Sequence, residues 1–112
     1  MSTKSIQCWD SDPQAGGLRI EVSPNESLVL PHNLFMFAKL TNGGREQNLK
    51  LVFAAHEVSI RGHHLRRIET HMQRMELSLV AVLPGNQRNL VPDGQPVILE
   101  ITIKETGRDG GN

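Results

Sequence analysis

Apolar and polar residues alternate along two short stretches of the chain, a pattern typical of β-strands with one buried face. These stretches are residues 18–22 and residues 97–104, in which every second residue is apolar. In the second stretch the inward set comprises Val97, Leu99, Ile101 and Ile103. Each stretch predicts a strand that packs on a core with one face and meets water with the other.

Three segments between residues 34 and 60 also have strand character. Residues 34–40 combine aromatic and aliphatic side chains, which favour pleated structure. Residues 49–53 and 58–60 alternate on either side of a short Ala-Ala-His-Glu sequence. This pair favours a hairpin over one long bulged strand, although the connection lacks the Asn-Gly or Asp-Gly pair of the strongest hairpin turns.

Two further apolar segments differ in how deeply they should lie in a sheet. Residues 77–83 are apolar on both alternating faces, which predicts a strand inside the sheet. Residues 28–30 run into Pro31, which cannot donate to a central ladder. We therefore expect residues 28–30 to form an edge strand or a connection.

One segment has helical rather than strand periodicity. Leu65, Ile68, Met72 and Met75 recur at the spacing of one helix face, while the residues between them are mostly charged or polar. The pattern predicts one amphipathic helix of about three turns at residues 63–75, separated by Gly62 from the preceding strand pattern. No Ser, Thr, Asp or Asn stands at its start, which leaves Gly62 as a weak N-cap.

These elements define an α+β fold, with a small, predominantly antiparallel sheet of about six strands in the order β-β-β-β-α-β-β. The helix should cover one face of this sheet. The strands on either side of it could instead pair in parallel through a right-handed crossover. We expect a flexible N-terminal arm at 1–17, a single domain at 18–105 and a disordered tail at 106–112.

Charge and cysteine content narrow the classes of function. Twelve basic residues balance twelve acidic ones, so an electrostatic function must be local. Cys8 is the only cysteine, which excludes an intrachain disulfide and favours a reducing compartment. The N-terminal residues lack the apolar region of a secretory signal, and no apolar run is long enough to span a membrane. The expected location is the cytoplasm, without a membrane partner.

The strongest candidate for binding is the basic segment 61–74, which contains four arginines and one glutamate. Cationic side chains beside a helix start suit a phosphate or another anion. The candidate anion-binding residues are Arg61, His63, His64, Arg66, Arg67 and Arg74. The alternative interpretation is an ordinary solvated helix face, because surface charge is common and no aromatic residues are interleaved here.

The sequence gives less support to metal binding or catalysis than to anion binding. His63 and His71 are about 12 Å apart by helix rise, too far to share one metal ion. Cys8 falls in the predicted arm, and no serine stands in a Gly-x-Ser-x-Gly sequence. We predict no catalytic residues, metal or cofactor.

The function predicted from these features is a non-catalytic structural or protein-interaction module that self-associates through a sheet edge, because unprotected edge strands pair with other chains. The expected partner is a second copy or another protein. The alternative is a nucleic-acid or phosphate-binding module that uses the basic segment. The three phenylalanines, Phe35, Phe37 and Phe53, are expected in the core, and Trp9 is expected to pack over a core edge.

Overall fold

A computed structural model describes residues 7–106. Within them, the strands are β1 (Trp9–Ser11), β2 (Gly17–Ser23), β3 (Glu26–Pro31), β4 (Phe35–Asn42), β5 (Gln47–Phe53), β6 (His56–His63), β7 (Leu77–Ala81) and β8 (Val97–Glu105). Helix α1 spans Arg66–Gln73, and 3-10 turns cover His32–Leu34 and Gly85–Leu90. In this part of the chain, no helix is long and apolar enough to cross a membrane.

The strands form two four-stranded sheets, with the orders β1-β7-β2-β3 and β4-β5-β6-β8. The α+β class and the antiparallel character are confirmed, since β2–β7 is the only parallel pair between described strands. The prediction of one sheet is wrong. Because α1 carries the chain from β6 in one sheet to β7 in the other, the strands flanking the helix do not pair with each other.

Part of the predicted flexible arm belongs to the folded domain. β1 pairs with β7, with Trp9 opposite Val80. Cys8 is buried, and its thiol donates to the carbonyl of Pro96 at 3.3 Å. The domain therefore begins before residue 18. Residues 1–6 of the predicted arm and residues 107–112 of the predicted tail lie outside the described part.

The core is built from both sheets and the helix. Leu65, Ile68 and Met72 are fully buried, which confirms most of the predicted apolar helix face. Met75 is the exception, because it follows the helix with a left-handed backbone (φ 59°) and is 36% exposed. The other buried apolar residues are Cys8, Leu18, Ile20, Leu30, Leu49, Leu51, Phe53, Val58, Ile60, Leu77, Val80, Leu83, Ile98 and Ile101.

The strand positions follow the sequence pattern closely in three cases. β5 and β6 form the predicted hairpin, with Val52 opposite Glu57 next to the turn. β3, which ends at Pro31, lies at the edge of its sheet. β7 lies inside its sheet, between β1 and β2.

β8 departs from simple alternation in its first half. Arg61 pairs with Glu100 and Gly62 pairs with Ile98, which leaves Leu99 as the extra residue of a bulge. The bulge turns Ile98 into the core, where it is fully buried, although the alternation predicted Val97 and Leu99 there. The strands approach so closely that a Cβ on Gly62 would lie 1.9 Å from the carbonyl oxygen of Val97.

Candidate functional site

The basic segment 61–74 is divided between a strand, a turn and a helix, so the predicted helix is confirmed only over Arg66–Gln73. Arg61 and His63 lie on β6 because Gly62 pairs with β8 instead of starting the helix. His64 has a left-handed backbone (φ 57°) that redirects the chain toward α1. Arg74 follows the last turn of α1, at the opposite end from Arg66.

Two carboxylates form ion pairs with Arg61. Its Nη1 donates to Glu46 Oε1 at 2.9 Å, and its Nε donates to Glu100 Oε1 at 3.1 Å. Glu46 and then Glu100 raise the pKa of Arg61 above its ordinary value by stabilising the charged guanidinium. An anionic ligand would have to compete with both carboxylates for the guanidinium group of Arg61.

His63 is oriented by the backbone. Its Nδ1 lies 3.0 Å from the carbonyl oxygen of Arg45, and since a carbonyl only accepts, Nδ1 carries the proton and donates. His63 and His64 border a small cleft of about 280 Å³ that also includes Arg88 and Asp93. The carboxylate of Asp93 offsets positive charge in this cleft.

A larger cleft of about 620 Å³ lies beside the start of α1 and is called the basic cleft below. Its lining residues are Gln47, His64, Arg66, Arg67, Thr70, His71 and Gly94. Two arginines and two histidines therefore face one cavity that no carboxylate lines within the described residues. Three of the predicted anion-binding residues, His64, Arg66 and Arg67, meet here, whereas Arg61, His63 and Arg74 do not line it.

Helical spacing arranges one wall of the basic cleft. Arg66 and Thr70 are four residues apart on α1, as are Arg67 and His71, so two neighbouring rows of side chains border the cavity. Thr70 Oγ1 donates to the carbonyl of Arg66 at 3.0 Å, and Arg67 Nη1 donates to Gln95 Oε1 at 3.0 Å. The second bond links the helix to the loop before β8.

Gln47 fixes the start of α1 against β5. Its Oε1 accepts from the backbone N–H of Leu65 at 2.7 Å, and its Nε2 donates to Asn42 Oδ1 at 2.8 Å. The N-cap residue, Leu65, supplies no side-chain cap of its own. A residue distant in sequence thus performs the capping that Gly62 was expected to provide weakly.

The side chain of His71 connects the basic cleft to β1. Its ring lies 4.9 Å from the Trp9 ring, centroid to centroid, with a tilt of 38°. His71 Nδ1 is 3.8 Å from Glu76 Oε1 and has no hydrogen-bond partner within residues 7–106. Trp9 is partly buried and packs against the core, so the expected core-edge position is confirmed.

Sequence reasoning missed four residues of the basic cleft. Thr70 and His71 could have been found from helical spacing, since each lies four residues after a candidate arginine. Gln47 and Gly94 carry no such signal, because a strand and a loop far away in sequence bring them to the cavity.

Cys8 is poorly suited to act as a nucleophile. It is 1% exposed, and burial raises the pKa of its thiol to about 11. The thiolate, which is the reactive form, is therefore scarce at neutral pH. Among the described residues, no group of three or more His, Cys, Asp and Glu side chains is placed to hold a metal ion.

The free edge of β4 is the second notable surface. Leu34, Met36 and Phe37 are 44%, 63% and 52% exposed, and they lie within four consecutive residues. The prediction that Phe37 lies in the core is wrong, because a register shift between Phe35 and Phe37 disrupts the alternation. Phe53 is buried, and Phe35 is partly buried with its ring edge-on to Phe53.

The other three sheet edges are short, end at a proline or are covered over part of their length. β1 has three residues, and β3 ends at Pro31. On β8, the N–H of Leu83 donates to the carbonyl of Ile98, and Arg88 donates to the carbonyl of Leu99. β4 is eight residues long, contains no proline and has one charged side chain, Lys39.

Comparisons with protein-family models, curated proteins and solved structures found no match for this chain.

Proposed function

We propose that this chain is a non-catalytic protein-interaction module that self-associates through the edge of β4. The observation that carries the proposal is the exposure of Met36 and Phe37 on β4, the least protected edge of the two sheets, and of Leu34 in the turn just before it. An edge strand presents unpaired backbone groups, and apolar side chains beside them favour removal of that edge from water.

A second copy fits this edge in an antiparallel register about a two-fold axis. If Phe37 lies on the axis, it opposes Phe37 of the other copy, and Lys39 opposes Phe35 rather than another lysine. The apolar residues then meet in the centre, while the two like charges stay apart. Such an interface uses the same patch on both copies and closes as a dimer.

The experiment is sedimentation equilibrium of the wild-type chain and two substituted chains over a wide concentration range. The wild type should approach twice the 12.5 kDa mass of one chain. Phe37→Lys should remain near one chain mass, because it places a charge at the centre of the interface. Val29→Lys is the matched control, since Val29 is also 52% exposed but lies on the edge strand β3.

Two results would refute the proposal. One is a wild-type chain that sediments as a monomer at every concentration. The other is a Val29→Lys chain that dissociates as fully as Phe37→Lys, because the effect would then not be specific to β4. Circular dichroism of each variant checks that the sheets are intact.

A further inference from the structure

The basic cleft concentrates positive charge in a chain whose formal net charge is zero. Within residues 7–106, two arginines and no carboxylate line it, so the charge of this lining is positive before either histidine is protonated. We propose that the basic cleft binds the phosphate group of a small phosphomonoester. This inference does not rest on the β4 interface, which involves different residues.

The two arginines supply the main donors. Arg66 forms no ion pair within residues 7–106, and Arg67 uses one guanidinium nitrogen on the neutral amide of Gln95. Both side chains are exposed and keep N–H groups for a ligand. Guanidinium groups bind phosphate oxygens through paired, charge-assisted hydrogen bonds. This availability distinguishes them from Arg61, which two carboxylates already bind.

Neighbouring groups complete the set of donors around the same cavity. His64 and His71 add imidazoles, whereas the Thr70 hydroxyl already donates to the carbonyl of Arg66. The N-terminal, positive end of α1 lies at this cleft. The backbone N–H of Leu65 donates to Gln47, and the backbone N–H groups of the first helical turn come directly after it in the chain. The helix end therefore reinforces the field of the arginines.

The lining favours a small ligand over a nucleic acid. A volume of about 620 Å³ is within the range of small-molecule sites. Among residues 7–106, no Phe, Tyr or Trp side chain lines the cavity to stack a base, as single-strand binders require. On the flank of α1 toward β4, Glu69 and Gln73 face Phe35 and Ala38, so the positive surface does not continue as a track.

The experiment uses NMR titration of the 112-residue chain with inorganic phosphate as the probe. We expect saturable shifts of the Arg66 and Arg67 side-chain Nε–H signals and of the backbone amides at the start of α1. Arg66→Gln and Arg67→Gln should each weaken phosphate binding by about tenfold, the effect of losing a hydrogen bond to a charged group. Arg74→Gln is the control, because it removes the same charge from the other end of the helix.

Three results would overturn the inference. The first is a chemical-shift change that rises linearly with phosphate concentration and never saturates. The second is an Arg74→Gln chain whose phosphate affinity falls as much as that of Arg66→Gln or Arg67→Gln. The third is a short oligonucleotide that binds more tightly than phosphate and with a steep salt dependence, which would indicate a nucleic-acid surface instead. The Phe37→Lys chain should bind phosphate as the wild type does. Loss of dimerisation and loss of phosphate binding are therefore separate observations.

Discussion

Replacement of Gly62 by alanine should be among the most destabilising small substitutions in this chain. The added Cβ would lie 1.9 Å from the carbonyl oxygen of Val97, whereas ordinary contact begins at 3.4 Å. It would also lie 3.0 Å from the carbonyl carbon of Val97 and 3.2 Å from Ile98 Cα. All three neighbours are backbone atoms, so no side chain can rotate away, and β8 must move.

The expected cost follows from what that movement disturbs. Overpacking alone costs about 1–3 kcal/mol. Separation of the strands also weakens the Gly62–Ile98 and His63–Val97 pairs, where each backbone hydrogen bond contributes about 1 kcal/mol. We therefore expect Gly62→Ala to lower the free energy of unfolding by about 3–4 kcal/mol, a large part of the 5–15 kcal/mol typical of a domain.

Urea denaturation followed by the fluorescence of Trp9, the only tryptophan, measures this change. At a typical slope of about 1.5 kcal/mol per molar urea, the midpoint should fall by about 2 M. Gly16→Ala is the control, since nothing lies within 4 Å of its added Cβ, and its stability should be unchanged or slightly higher. A Gly62→Ala chain within about 0.5 kcal/mol of the wild type would refute the reasoning.

Three other substitutions test separate parts of the fold by the same denaturation method. Burial raises the pKa of the Cys8 thiol from 9.0 to about 11, so the neutral thiol stabilises the fold below pH 9.0 and that contribution disappears as the pH rises to about 11. Cys8→Ala should reduce this alkaline loss by about 2–3 kcal/mol, and an unchanged loss would contradict the assignment. Met72→Ala should cost about 2–5 kcal/mol because Met72 is fully buried, whereas a cost below about 1 kcal/mol would contradict its place in the core. Gln47→Ala should cost about 1 kcal/mol by removing the bond to the Leu65 N–H; no cost would show that solvent replaces it.

The sequence pattern was sufficient for most elements but not for their assembly. Alternation located β2, the β5–β6 hairpin and β7, and helical spacing located α1. The division into two sheets depends on which strands pair across long separations, which local periodicity does not encode. β1 was missed because a strand of three residues is too short to show a pattern.

The burial pattern of β8 could not be predicted from alternation, for a different reason. Val97 and Leu99 have the expected alternation, but the close approach of β8 to Gly62 shifts the register and buries Ile98 instead. The sequence pattern indicated Gly62 only as a weak N-cap after the preceding strand pattern, whereas its role in the structure is to permit this contact between backbones.

The candidate site was predicted in part. The basic composition of residues 61–74 pointed to Arg66 and Arg67, but the pairing of Arg61 with Glu46 and Glu100 joins residues that are distant in sequence. The exposure of Phe37 was also hidden, because an aromatic residue in an apolar segment ordinarily lies in the core.

The most direct test of the proposed self-association is oxidative cross-linking of a Phe37→Cys chain. The native Cys8 is 1% exposed and has a raised pKa, so the introduced thiol should react selectively in the folded chain. If two copies pair about Phe37, mild oxidation should give a disulfide-linked dimer of twice the 12.5 kDa chain mass, while Val29→Cys should stay largely monomeric. Equal cross-linking of both variants, or none in Phe37→Cys at concentrations where the wild type is dimeric, would contradict pairing through β4.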